Sequence, residues 1–156
     1  MDGDRTLPEG ESTVLARLVA ACHAAMAHFR SVEVERKADS TPVTIADRAA
    51  EAVLVQGLRT LFPRDAIVSE EGASAQGVSG RTWYVDPIDG TAAVIEGLSH
   101  WGPVVGCMDE HGPCVGAAYM PRTGDFFFAT RGGGAWLDGE RLSGLKAPLG
   151  GRGEVI

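Results

Sequence analysis

The sequence contains no apolar run of about eighteen residues or more, which excludes a helical membrane span of ordinary length. It is short of positive charge: 14 Lys and Arg stand against 21 Asp and Glu, leaving a net charge of −7. Nucleic-acid binding needs clustered Lys and Arg to neutralise phosphates, so no nucleic-acid partner is expected. The amino terminus, Met1-Asp2-Gly3-Asp4-Arg5, is acidic where a secretory leader is basic, and no compact apolar segment follows it. Cysteine is scarce and odd in number. Cys22, Cys107 and Cys114 lack metal-ligand spacing and are expected to be reduced core thiols of a cytoplasmic protein. No segment repeats another.

What is present suffices for one domain. A chain of 156 residues buries roughly two-thirds of its unfolded surface, and 44% hydrophobic with 22% charged residues is the composition of a globular protein. Residues 1–10 are polar and turn-rich, a loose lead-in. Across 11–30, Leu15, Leu18, Cys22, Met26 and Phe29 recur at intervals of three and four, the stripe of an amphipathic helix, with His23 and His28 at its boundary. Residues 37–47 read as a loop, and Thr44-x-x-Asp47 matches a capping box opening a second helix. The stripe Ala50, Leu54, Leu58, Leu61 carries that helix to about Phe62, where Pro63 stops it. A strand, Ala66–Ser69, runs into Glu70-Glu71-Gly72, and 73–80 read as a surface loop. After a strand at 82–85, the runs 102–108, 113–120 and Asp125–Thr130 are separated by hairpin connections, and 135–137 makes a last strand before Asp138-Gly139. The expected class is α+β: two long helices on one face of a mostly antiparallel sheet. The domain should span 11–142, with 143–156 a Gly-rich, unfinished connection.

The chemistry gathers at residues 83–95. A β-branched and aromatic strand ends in Asp86-Pro87-Ile88-Asp89, and Gly90-Thr91 then opens a helix. Clustered carboxylates hold hard divalent cations such as Mg²⁺. The N–H groups of a helix start hold an anion, and Gly90 lets the backbone approach closely. A cation site beside a phosphate cradle is what metal-assisted phosphoryl hydrolysis requires, and bound cations reverse the local field of an acidic protein. Structural readings stand beside these. Asp-Pro and Asp-Gly are turn dipeptides, Asp89 is a plausible helix cap, Asp47 closes a capping box, and Glu70-Glu71 is an ordinary solvated edge.

Three segments together carry a resemblance. Asp86-Pro-Ile-Asp-Gly-Thr91, Ser69-Glu70-Glu71-Gly72 upstream, and Lys37-x-Asp39-x-x-Pro-Val-Thr44-x-Ala-Asp47 before that stand in the order and spacing of the inositol monophosphatase superfamily. Gly132-Gly-Gly134-Ala-Trp136 with Asp138-Gly139 resembles its glycine-rich hairpin. The resemblance covers about Lys37 to Leu142 and implies the amino-terminal half of the sugar-phosphatase (αβαβα) fold. It implies Glu70, Asp86 and the Ile88 carbonyl as ligands of a first metal, and Asp86 and Asp89 as ligands of a second. Two or three Mg²⁺ ions are implied, Glu70 helping with the third. Gly90 and Thr91 would offer N–H groups to phosphate, Asp47 and the Thr91 hydroxyl would orient the attacking water, and Glu71, Thr44 and Lys37 would support them.

The sequence departs from that family in two places. Ala92-Ala93-Val94 follows Thr91 where inositol-phosphate members tend to have Asn-Phe, and nothing after Asp89 matches the Trp-Asp-x-Ala motif whose Asp completes the second metal site. The reading that follows is the first half of an Mg²⁺-dependent phosphatase of a small phosphorylated alcohol, cytoplasmic and homo-oligomeric. Histidinol-phosphate phosphatase is the alternative within the class. A non-catalytic metal- or anion-binding module is the alternative outside it.

Overall fold

The computed structural model describes residues 14, 16–21, 23, 24, 34–36 and 42–143. Residues 14, 16–21, 23 and 24 are helical and form α1. Val14, Leu18 and Ala21 are buried, one turn apart on one face, and His23 is exposed. Leu15, Cys22, Met26, Phe29, His28 and Lys37 lie outside the described residues, as do the lead-in and all but the first residue of the tail.

Strands β1 (Val34–Arg36) and β2 (Pro42–Thr44) pair antiparallel as a small separate sheet. The region read as a loop is therefore a strand at its end. Three residues carry no detectable alternation, and the pairing is with a segment upstream. Thr44 then caps α2 (Ile45–Leu61). Helix formers dominate α2, Asp47 in its first turn and Arg59 in its last complement the helix dipole, and Phe62 N–H closes the end on Leu58 O at 2.7 Å. Its buried stripe is Ala46, Asp47, Ala50, Leu54, Gly57 and Leu58.

The main sheet comprises β3 (Ala66–Ser69), β4 (Ser74–Ala75), β5 (Thr82–Asp89), β6 (Gly102–Asp109), β7 (Gly112–Met120), β8 (Asp125–Thr130), β9 (Gly134–Leu137) and β10 (Glu140–Arg141). The strand order is β10-β9-β8-β7-β6-β5-β3-β4. All neighbours are antiparallel except β3 and β5. The class expected from the sequence, α+β with a mostly antiparallel sheet, is the class found. Residues 73–80, read as loop, contribute the two-residue β4 at the sheet edge. The Asp138-Gly139 turn has φ of 51° and 80°, the left-handed pair that joins β9 to β10.

Packing on α2 sorts the two sheet faces. Ile67, Trp83, Val85, Val105, Cys107, Ala117 and Phe128 are buried in one cluster with the α1 and α2 stripes. Burying a Leu such as Leu54 or Leu58 there contributes about 1.5–3 kcal/mol. Asp65 anchors the β5 entry from within this core: its carboxylate accepts Trp83 Nε1–H at 3.0 Å and Arg81 N–H groups at 3.1 and 3.2 Å. Burial alone would raise Asp65, but the hydrogen bonds from Ser79, Trp83 and Arg81 outweigh it and hold the carboxyl below its ordinary value. Among the described residues the opposite face is apolar and uncovered. Val68, Tyr84, Met108 and Phe127 are 39–48% exposed and line a groove of about 800 Å³ whose one end reaches Glu70 and Asp86.

Candidate active site

The site begins with a register. β3 and β5 are parallel neighbours paired as far as Ser69↔Val85, so Glu70, just past the end of β3, and Asp86, where β5 outruns that pairing, are the next residues on adjacent strands. Glu70 N–H donates to Val85 O at 2.9 Å and keeps the two in step. Open α/β sheets place ligands at such strand ends.

β5 does not stop at Val85, as its composition suggested. It continues to Asp89 through a bulge: Asp86 faces Val104 and Asp89 faces Gly102, three steps on β5 against two on β6. A bulge tolerates Pro87, which has no ladder donor, and re-aims the side chains around it. Pro87 and Ile88 are buried while Asp89 turns out to solvent. Gly90 then turns the chain at φ 90°, and a Cβ there would lie 2.9 Å from the His100 carbonyl oxygen, so conformation and space both demand glycine. The helix it opens, α3 (Thr91–Ile95), is a single short turn.

Asp47 enters from α2. It is fully buried, and its two oxygens do different things. Oδ2 accepts from Thr44 N–H at 2.7 Å and from the Thr44 hydroxyl at 2.6 Å, closing the capping box. Oδ1 accepts from the Thr91 hydroxyl at 3.1 Å, across 44 residues of sequence. The same hydroxyl lies 3.2 Å from Ile88 O, so its proton is shared between two acceptors. The capping role and the link to Thr91 are simultaneous.

Asp86 is half-buried, and its Oδ1 accepts from Ile88 N–H at 3.1 Å. Burial first, then the charge and hydrogen bond of Glu70, then the charge of Asp89, push its carboxyl up to about 7, partly offset by Ile88 N–H. Glu70 and Asp86 are thus in contact, with Asp89 close enough to be felt as charge. The donor set, carboxylates and a backbone carbonyl, is all hard oxygen and suits a cation such as Mg²⁺. Among the described residues, however, no three acidic, His or Cys side chains gather tightly enough to hold a metal ion by themselves. What fits is a pair needing a third donor. Glu71 is half-buried beside Glu70. Sequence reasoning missed Glu51, whose Oε1 accepts Ala73 N–H at 3.1 Å and ties the acidic turn to α2. A bond spanning 22 residues to a main-chain donor leaves no local sign in the sequence.

Comparisons with known proteins place the chain in a family. The family model described as "Inositol monophosphatase family" matches residues 11–154. A histidinol-phosphatase of Chlorobaculum parvum is 39% identical over 110 residues, 70% of this chain and 42% of that protein. The Nus factor SuhB of Escherichia coli is 36% identical over 118 residues, 75% of this chain and 44% of that protein. Among solved structures, an IMPase of Thermotoga maritima superposes with a TM-score of 0.77 at 29% identity, covering 86% of this chain and 53% of that one. The chain spans less than half the length of these curated relatives. With the motifs in order and the fold shared, the chain belongs to the inositol monophosphatase family.

Proposed function

We propose that this chain carries the water-orienting and metal-binding part of an Mg²⁺-dependent phosphomonoesterase acting on a small phosphorylated alcohol. The observation that carries the reading is the Thr91 hydroxyl held on fully buried Asp47 beside the Glu70–Asp86 pair. Glu70, Asp86, Asp89 and the Ile88 carbonyl would hold two or three ions, completed by a donor from outside the described residues. Bound there, Mg²⁺ supplies positive charge for the phosphate oxygens and lowers the pKa of water. Asp47, pinned twice by Thr44, has one oxygen left to accept the Thr91 proton. That leaves the Thr91 oxygen lone pairs pointing away from Asp47, able to accept from a water and direct it at phosphorus. Gly90 and Thr91 would present main-chain N–H groups to the phosphate, Gly90 because nothing larger fits. Glu71, Thr44 and Lys37 would support the set.

Histidinol phosphate is the preferred alternative to an inositol phosphate, because a relative 39% identical is a histidinol-phosphatase. The proposed enzyme acts in the cytoplasm as a homo-oligomer. Phosphate release from a panel of inositol, histidinol, sugar and nucleotide monoesters with Mg²⁺ tests the reading. Activity that falls at least about 100-fold in Thr91→Ala and Asp47→Asn, with Mg²⁺ binding by calorimetry retained, is expected. Metal binding without turnover of any ester would replace the enzyme with a binding module.

A further inference from the structure

Two of the three cysteines occupy a second irregularity of the sheet. β6 and β7 pair Cys107↔Val115 and then Met108↔Pro113, so Cys114 is the extra residue of a bulge directly opposite Cys107. A bulge places its two successive side chains against one partner residue and twists the strand locally. Here Cys114 and Val115 both pack against the cluster that buries Cys107. The Cys114 thiol donates to Cys107 O at 3.2 Å, which holds its sulfur against the backbone of the residue it faces. Cys107 is 1% exposed, whereas Cys114 is reached by solvent.

We propose that Cys107 and Cys114 form an oxidisable dithiol, which peroxides close into a disulfide across the β6–β7 bulge. The solvent-reached Cys114 reacts first: its sulfur attacks one peroxide oxygen, the O–O bond breaks, and the departing hydroxide takes the thiol proton to leave water and a sulfenic acid. Cys107 sulfur then attacks the Cys114 sulfur, the S–O bond breaks, and the hydroxyl leaves with the Cys107 proton as a second water. Two electrons pass from the two thiols to one peroxide. Cys107, 1% exposed, is shielded from peroxide, which assigns it the second, resolving step, and it gives up its proton only as the Cys114 hydroxyl departs, because burial, and then the Cys114 hydrogen bond, push its thiol up to about 12.

The sequence makes the test direct, since no Lys or Arg stands between Arg81 and Arg122 and both cysteines fall in the tryptic peptide 82–122. The whole chain is treated with hydrogen peroxide, remaining thiols are alkylated, and the peptide is weighed with fragment assignment of any oxygen on Met108 and Met120. A peptide two hydrogens lighter than the dithiol, unalkylated, and doubly alkylated after dithiothreitol, is the expected result. Cys114→Ser should abolish the loss of hydrogens and Cys22→Ser should leave it unchanged. Both thiols remaining alkylatable, oxygen accumulating on either sulfur without a link, or Cys22 bonded to one of the pair would each overturn the proposal.

Discussion

At the scale of single residues, Asp47 caps α2 with one carboxylate oxygen and reaches Thr91 with the other. Its carboxylate has lone pairs to spare after capping α2, and burial makes each costly to leave unmet. Thr44 donates to it and accepts from Ala46 N–H at 3.2 Å. Thr44→Ala should lower the urea midpoint by an amount equivalent to about 1–2 kcal/mol, and Thr44→Ser should recover most of that loss, since it keeps the hydroxyl. Asp86 presents the opposite situation, a carboxylate held against another. In chelator at neutral pH, Asp86→Asn should melt higher than the parent, by roughly 1 kcal/mol in stability, because one of two facing charges is gone. Scanning fluorimetry with and without Mg²⁺ checks this: a variant that melts lower without metal would show that the carboxylates do not repel.

At the scale of elements, the connections do the positioning. Asp65, in the turn between α2 and β3, grips Arg81 and Trp83 at the entry to β5. Its folded pKa is depressed, so the stability it contributes is fully present above its unfolded value near about pH 4 and is lost as pH falls through the lower folded value. Acid titration of the urea midpoint should therefore lose part of its steepness in Asp65→Asn, and Asp65→Ala should cost about 1–3 kcal/mol at neutral pH by stranding the buried Trp83 N–H. At the other end of β5, Gly90→Ala meets both a left-handed backbone and the His100 carbonyl. A destabilisation of about 1–3 kcal/mol, read by calorimetry, is expected, with any phosphatase activity lost alongside. The start and stop of α2 and the last hairpin turn were legible beforehand, because Thr44-x-x-Asp47, Pro63 and Asp138-Gly139 act on their own backbone. The reach of β5 through Pro87 to Asp89 was not legible, because a bulge depends on the partner strand.

At the scale of the whole molecule, the described helices cover one face of an eight-stranded sheet, and among the described residues the other face is apolar and uncovered. No described helix is long and apolar enough to cross a membrane. An open face of this kind drives association. Light scattering across a concentration series should show self-association of the isolated chain, diminished in a Phe127→Ser, Met108→Thr double variant. A monomer at all concentrations would contradict this. The family was readable from three short motifs, and the class of fold from the change in hydrophobic period between residues 62 and 102.

By itself, then, the sequence determined the residue types available for chemistry, the caps and turns that bound each element, and the alternation that makes the later strands hairpins. Those properties arise from interactions within a few residues. Only the tertiary structure decided that β3 and β5 run parallel, that their register sets Glu70 against Asp86, and that Asp47 spans α2 to Thr91. Each of these depends on which segments lie side by side, and the free energy of that choice resides in the shared core of α2 and the sheet.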